Sequence, residues 1–262
     1  MNLRMVLSAA AFAGAAAALV AAQAGTPPRI EKRAAARHPM RYFVSPPEGW
    51  TPNRDWPALV VITDAYRKFE ETTGAFADAR GARPFVIVTP LVLSGGGTAQ
   101  QHMSDFDYDR AAWDLAEKDG TCAFDAQGLS AVLADVRQQF HTEAKVFITG
   151  WEAGGHVVLS EVLNHPERLR AAVVVTPNYQ GRCVDNPPAR HDSDALALPI
   201  RELAGSLDAM AARGPIAGQW TTFETLARSR GFTDLKAISV TGRGHGALAS
   251  DVFEAIAPMV GR

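Results

Sequence analysis

Apolar residues in this chain fall into two patterns: short unbroken runs, and stretches where they recur every three or four positions. Pro57-Ala58-Leu59-Val60-Val61-Ile62-Thr63, Pro84-Phe85-Val86-Ile87-Val88-Thr89-Pro90, Val146-Phe147-Ile148-Thr149 and the run from Leu169 to Thr176 belong to the first kind. A strand apolar on consecutive residues is covered on both faces, as in a parallel sheet. Weaker strands are predicted over 40–45, 200–205 and 235–240. The second kind predicts helices over 73–82, 219–229 and 248–260. It is clearest after Asp125, where Leu129, Val132, Leu133, Val136 and Phe140 share one face and Asp125 is placed as the N-cap. Strands alternating with helices imply an α/β domain with a mostly parallel central sheet and helices on both faces. That domain is expected to span 40–262. The stretch 177–199 is polar, proline-punctuated and too short for a large helical cap.

The first residues change the picture. Met1-Asn2-Leu3-Arg4 is a short positive start, and Met5 to Ala22 is almost wholly Ala, Val, Leu, Gly and Phe. Ala22-Gln23-Ala24 then supplies a small-residue cleavage site, so 1–24 reads as a secretory signal peptide, with an uncleaved anchor as the competing reading. Residues 25–39, rich in Arg, Ala and Pro, are expected to form a mobile N-terminal arm. Export makes the protein secreted or periplasmic, and no membrane association is expected after cleavage.

Composition excludes more than it assigns. At 262 residues, 21% charged and a net charge of −2, nothing favours nucleic acid. The two cysteines, Cys122 and Cys183, are both placed in loops near one sheet edge. In an oxidising compartment such a pair is expected to be bonded rather than to hold a metal. No cofactor or metal is expected.

The stretch carrying chemistry is Val146-Phe147-Ile148-Thr149-Gly150-Trp151-Glu152-Ala153-Gly154-Gly155-His156. An apolar strand rises to a tight turn and continues as a helix, with small residues two before and two after Glu152. This has the form of the G-x-S-x-G nucleophile elbow with glutamate in place of serine. Downstream, Ala204-Gly205-Ser206-Leu207-Asp208 is similar to an h-G-x-x-D acid loop, and Thr241-Gly242-Arg243-Gly244-His245-Gly246 to a G-x-G-H histidine loop. Pro46-Pro47-Glu48-Gly49-Trp50 is similar to a P-P-G-Y/W turn. On these residues the chain resembles the α/β-hydrolase superfamily, most closely secreted esterases of the polyhydroxybutyrate-depolymerase-like group.

The resemblance implies an α/β-hydrolase fold without a large cap, and a site of Glu152 at the elbow with Asp208 as acid and His245 as histidine. Asp208 could equally cap a following helix, and His156 and His191 read as structural or solvated. The oxyanion position departs from the family as well. Where His-Gly is usual, Thr63-Asp64-Ala65-Tyr66 stands, leaving the Ala153 N–H as one donor and placing the Asp64 carboxylate beside a developing negative charge. Losing one such donor costs about 3–4 kcal/mol of transition-state stabilisation.

The expected function is therefore an exported esterase homologue impaired in serine catalysis, holding an ester-like small molecule or a protein partner. Three alternatives stay open. Ester hydrolysis could use a relocated hydroxyl such as Ser94. Glu152 could attack alkyl carbon as a carboxylate nucleophile. Asp64 and Glu152 could also act together as a carboxylate pair.

Overall fold

The computed structural model of the protein describes residues 29–97 and 99–260. In chain order its strands are β1 (Glu31–Ala34), β2 (Arg41–Ser45), β3 (Ala58–Ile62), β4 (Val86–Pro90), β5 (Val146–Glu152), β6 (Leu169–Pro177), β7 (Ile200–Gly205) and β8 (Leu235–Val240). The helices are α1 (Phe69–Arg80), α2 (Arg110–Asp119), α3 (Thr121–Phe140), α4 (Ala153–Asn164), α5 (Ser193–Leu196), α6 (Ala209–Arg213), α7 (Gln219–Ser229) and α8 (Ala249–Ile256). One eight-stranded sheet runs β1-β2-β4-β3-β5-β6-β7-β8. The β1–β2 and β2–β4 pairs are antiparallel and the rest are parallel. This is the α/β-hydrolase fold, with no cap domain between β6 and β7, where α5 is the one helix.

The unbroken apolar runs have the packing they predicted. Every residue of β3 is buried, and alternate residues serve opposite faces. Leu59 and Val61 join Phe76 and Ala77 of α1 and Val252, Phe253 and Ile256 of α8. Val60 and Ile62 face a larger core with Phe124, Val132 and Val136 of α3, Val158 and Val162 of α4, and Trp220 and Phe223 of α7. Each such side chain, fully buried, stabilises the fold by about 1.5–3 kcal/mol. Helix α4 is buried along its whole length, which explains its almost uniformly apolar Val157-Val158-Leu159 and Val162-Leu163.

Several expectations need correction. The arm expected over 25–39 contains β1, an edge strand paired with β2 from Glu31↔Val44 to Ala34↔Arg41. Its residues alternate between part-buried and exposed, and they are charged rather than apolar because only one side packs. Asp125 does not cap a helix. Helix α3 begins four residues earlier, at Thr121, and Asp125 lies inside it and buried, accepting from the Leu93 N–H at 2.8 Å and the Ser94 N–H at 2.7 Å. Cys122 consequently sits in the first turn of α3 rather than in a loop. It is bonded to Cys183, with Cα atoms 5.1 Å apart. The helix expected over 73–82 starts at Phe69. The signal sequence expected over 1–24 lies outside the described residues, among which no helix is long and apolar enough to cross a membrane.

Candidate active site

The elbow is built by close backbone approach. Glu152 closes β5 and precedes α4 with φ 48° and ψ −118°, a conformation side chains rarely adopt. Holding it costs of order 1–3 kcal/mol. Two features keep it there: the Glu152 carbonyl accepts from the Asn178 N–H at 2.8 Å, and Glu152 pairs with Pro177 of β6 across a register shift that follows Trp151. The small residues around it are obligatory. A Cβ on Gly154 would lie 2.4 Å from the carbonyl oxygens of both Ile62 and Thr63, and one on Gly155 would lie 2.8 Å from the Pro177 Cβ. Ala153 opens α4, so its N–H has no acceptor inside the helix and lies at the positive end of the helix dipole.

The acid and histidine loops meet because Gly205 lets them. A Cβ there would sit 2.4 Å from the Arg243 carbonyl oxygen. The Leu207 N–H also donates to that carbonyl at 2.8 Å. Asp208 then makes two sets of contacts, one to a helix N-terminus and one to His245. Its Oδ1 caps α6, accepting from Met210 N at 2.9 Å and Ala211 N at 3.2 Å, and its Oδ2 lies 3.0 Å from His245 Nδ1. Thr176 donates its hydroxyl to the same Oδ2 at 2.9 Å. Burial alone would raise the Asp208 pKa; the bonds from His245, Thr176 and Ala211 outweigh it and hold the carboxyl below its ordinary value. With the carboxylate accepting at Nδ1, the neutral form of His245 carries its proton there and leaves Nε2 as the acceptor.

Glu152 is half-buried, and burial raises its pKa, with the charge of Asp64 adding to the rise and that of His245 opposing it. The elbow carboxyl thus lies within electrostatic reach of both residues. Among the described residues no hydrogen bond links Glu152 to His245. Asp64, itself buried, turns its Oδ1 back to accept from the Tyr66 N–H at 3.1 Å. Arg67 fixes this loop, donating to the Ala65 carbonyl at 2.8 Å and to the Gly96 carbonyl. Gly96 in turn fits where a Cβ would lie 2.9 Å from those of both Ala65 and Ala153.

Asp64, Glu152, Ala153, Asp208 and His245, separated widely in sequence, converge on the carboxyl ends of β3, β5, β7 and β8. Ser94 does not join them: it is buried and donates its hydroxyl to Asp125 at 2.6 Å. His156 is buried in α4 and accepts from the Gln180 N–H at 3.3 Å, while His191 contacts the Leu163 carbonyl at 3.0 Å. Thr176 and Arg67 escaped sequence reading. Both have positive φ, 43° and 55°, a property without a sequence signal for threonine or arginine. Among the described residues no group of three or more His, Cys, Asp and Glu is arranged to hold a metal ion.

A strained strand–turn–helix elbow, an acid after β7 and a histidine after β8 define an α/β-hydrolase-type site. Residues 34–228 match the family model Esterase, whose description reads "Putative esterase". The chain belongs to this esterase family. Its fold is shared with the LpqC poly(3-hydroxybutyrate) depolymerase of Bordetella parapertussis, at TM-score 0.56 and 20% identity over 90% of this chain and 91% of that one. It is also shared with an S-formylglutathione hydrolase of Agrobacterium tumefaciens, at TM-score 0.56 and 15% identity over 88% and 95%. A "putative dipeptidyl aminopeptidase IV" of Bacteroides ovatus aligns at TM-score 0.61 and 13% identity, and there the chain covers 90% of itself but 36% of the other protein. No curated protein matches the chain.

Proposed function

We propose that this protein is an exported member of the esterase family whose elbow cleft holds a small ester-like ligand without serine-type hydrolysis. The observation that carries this reading is Glu152 itself, set on an intact elbow and facing the charge of Asp64. Acyl transfer through an elbow needs a hydroxyl nucleophile and donors aimed at the developing oxyanion. Here the nucleophile position carries a carboxyl, and Asp64 faces it with a second negative charge. What persists can bind. The Ala153 N–H offers a donor and neutral His245 an acceptor at Nε2, and Tyr66 and Leu207, on the loops that carry Asp64 and Asp208, are 78% and 70% exposed. Export is supported by the alanine-rich leader and by the Cys122–Cys183 bond.

A fluorophosphonate probe with intact-mass detection tests this. The wild-type protein should remain unlabelled, because every serine esterase that uses a hydroxyl, relocated or not, is captured by such a probe. A stoichiometric adduct that disappears in His245→Ala would overturn the reading.

One observation favours a second reading: His245 lies within electrostatic reach of Glu152. In that reading the Glu152 carboxylate displaces a halide from alkyl carbon, and His245 takes a proton from the water that hydrolyses the resulting ester. Halide release from 1-bromobutane, lost in Glu152→Gln, would establish it.

A further inference from the structure

A cavity lies beside Thr176, lined by none of Asp64, Glu152, Asp208 and His245. It measures about 230 Å³ and is walled by Thr176 and Pro177 from the end of β6, Glu202 and Ala204 of β7, Ala211 of α6, Ile216, and Trp220 and Thr221 of α7. No lysine, arginine or histidine lines it. Glu202 sits in mid-strand, flanked in register by Val174 and Ala237, neither of which can pair with it. Among the described residues its carboxyl has no hydrogen-bond partner and no ion pair. Glu202 is part-buried, and its carboxyl faces the cavity without a protein partner beside it.

We propose that this cavity is a binding site for a primary ammonium group, with Glu202 as the counter-charge and the Trp220 ring as an aromatic wall. The one charge in the lining favours a cation over an anion, although Trp220 also carries a buried indole N–H without a partner among the described residues. The one charged wall residue is acidic, an indole beside a carboxylate is a favourable seat for an ammonium, and Ile216, Pro177, Ala204 and Ala211 supply apolar contact for its stem. The next charged group is Glu224 of α7, which adds negative potential at Glu202. Glu224 is itself tied to Arg228 at 2.7 Å, whereas among the described residues no cation pairs with Glu202. Burial, with Glu224 adding to it, lifts the Glu202 carboxyl to about 7. The empty site is therefore partly protonated at neutral pH, and an ammonium that enters favours the ionised form. The site also adjoins the elbow machinery: Thr176 lines the cavity and donates to Asp208.

The test follows the indole N–H resonance of Trp220, assigned by its loss in Trp220→Phe, in ¹⁵N-labelled full-length protein. The probes are n-butylammonium, Nα-acetyl-lysine methylamide and n-butanol. Saturable shifts with both amines at pH 8 are expected. A response to n-butylammonium alone indicates a free amine, and one to both admits a lysine side chain of a peptide. Affinity should fall about tenfold from pH 8 to pH 6 as Glu202 takes up a proton, and by tenfold or more in Glu202→Gln at pH 8. That variant removes no existing bond, and its dispersed amide spectrum will show that it is folded. Equal shifts with n-butanol, unchanged affinity in Glu202→Gln, or no shift with either amine would each overturn the assignment.

Discussion

Glu161 on the elbow helix should make this protein less stable at alkaline than at mildly acidic pH. It is 7% exposed on α4, and among the described residues its carboxyl accepts no hydrogen bond. Burial raises it from the ordinary 4.5 to about 7; Arg168 opposes the rise, while Asp125, Glu167 and Asp185 add to it. The folded protein therefore holds this proton more tightly than the unfolded chain. The resulting stabilisation is fully present below the unfolded value and is lost as pH rises through about 7. The interval between the two values corresponds to roughly 3 kcal/mol. Glu161→Gln mimics the protonated carboxyl at every pH. In urea unfolding at pH 5 and pH 8, variant and wild type should differ little at pH 5, and the variant should be more stable by about 2–3 kcal/mol at pH 8. Glu202, also raised by burial to about 7, contributes to both proteins alike, so the difference between the two reports Glu161 together with its coupling to Asp125. A difference that is the same at both pH values, within about 0.5 kcal/mol, would refute the reasoning and show that the carboxyl is compensated in the fold.

Other consequences follow from the same geometry. Gly154→Ala drives a methyl to within 2.4 Å of two carbonyl oxygens and should cost about 3 kcal/mol, the upper end of overpacking; an unchanged urea midpoint would mean that α4 is not seated on β3 as described. Replacing both Cys122 and Cys183 by serine frees a constraint over 61 residues, which loop entropy values at about 4 kcal/mol; a loss below about 1 kcal/mol would show that the unfolded chain is already restricted there. Thr176→Val removes a donor from Asp208 and so brings its depressed pKa back towards the ordinary value. Asp208 stabilises the fold above its unfolded pKa, and that contribution fades as pH falls through the folded one. Acid titration of unfolding should accordingly be shallower in the variant, and identical profiles would exclude this contribution.

Sequence reading reached furthest where the determinants are local. The runs in β3, β4, β5 and β6 and the periodicity of α3 are properties of neighbouring residues, and the elbow is written locally too, in small residues at 150, 154 and 155, although those at 154 and 155 answer to the neighbouring β3 and β6 ends. It erred where a distant segment decides. Asp125 looks like a cap because polar precedes apolar, yet its burial is determined by the Leu93 and Ser94 amides some thirty residues away. The charged Glu31–Ala34 segment looks like an arm, and only its pairing with β2 makes it a strand. In the site, Asp208 and His245 stand out through flanking glycines, whereas Thr176 and the lone Glu202 carry no local signature at all.

The central claim, an esterase-family elbow that no longer performs serine chemistry, is tested most directly by aryl-ester turnover. Hydrolysis of p-nitrophenyl acetate and butyrate should be measured for wild type, His245→Ala, Glu152→Ser, and Glu152→Ser combined with Asp64→Gly. Wild type should be no faster than His245→Ala. Glu152→Ser alone should recover little, and the double variant should exceed it because the opposing carboxylate is gone from the oxyanion side. A wild-type rate well above that of His245→Ala, abolished in Glu152→Gln, would contradict the account.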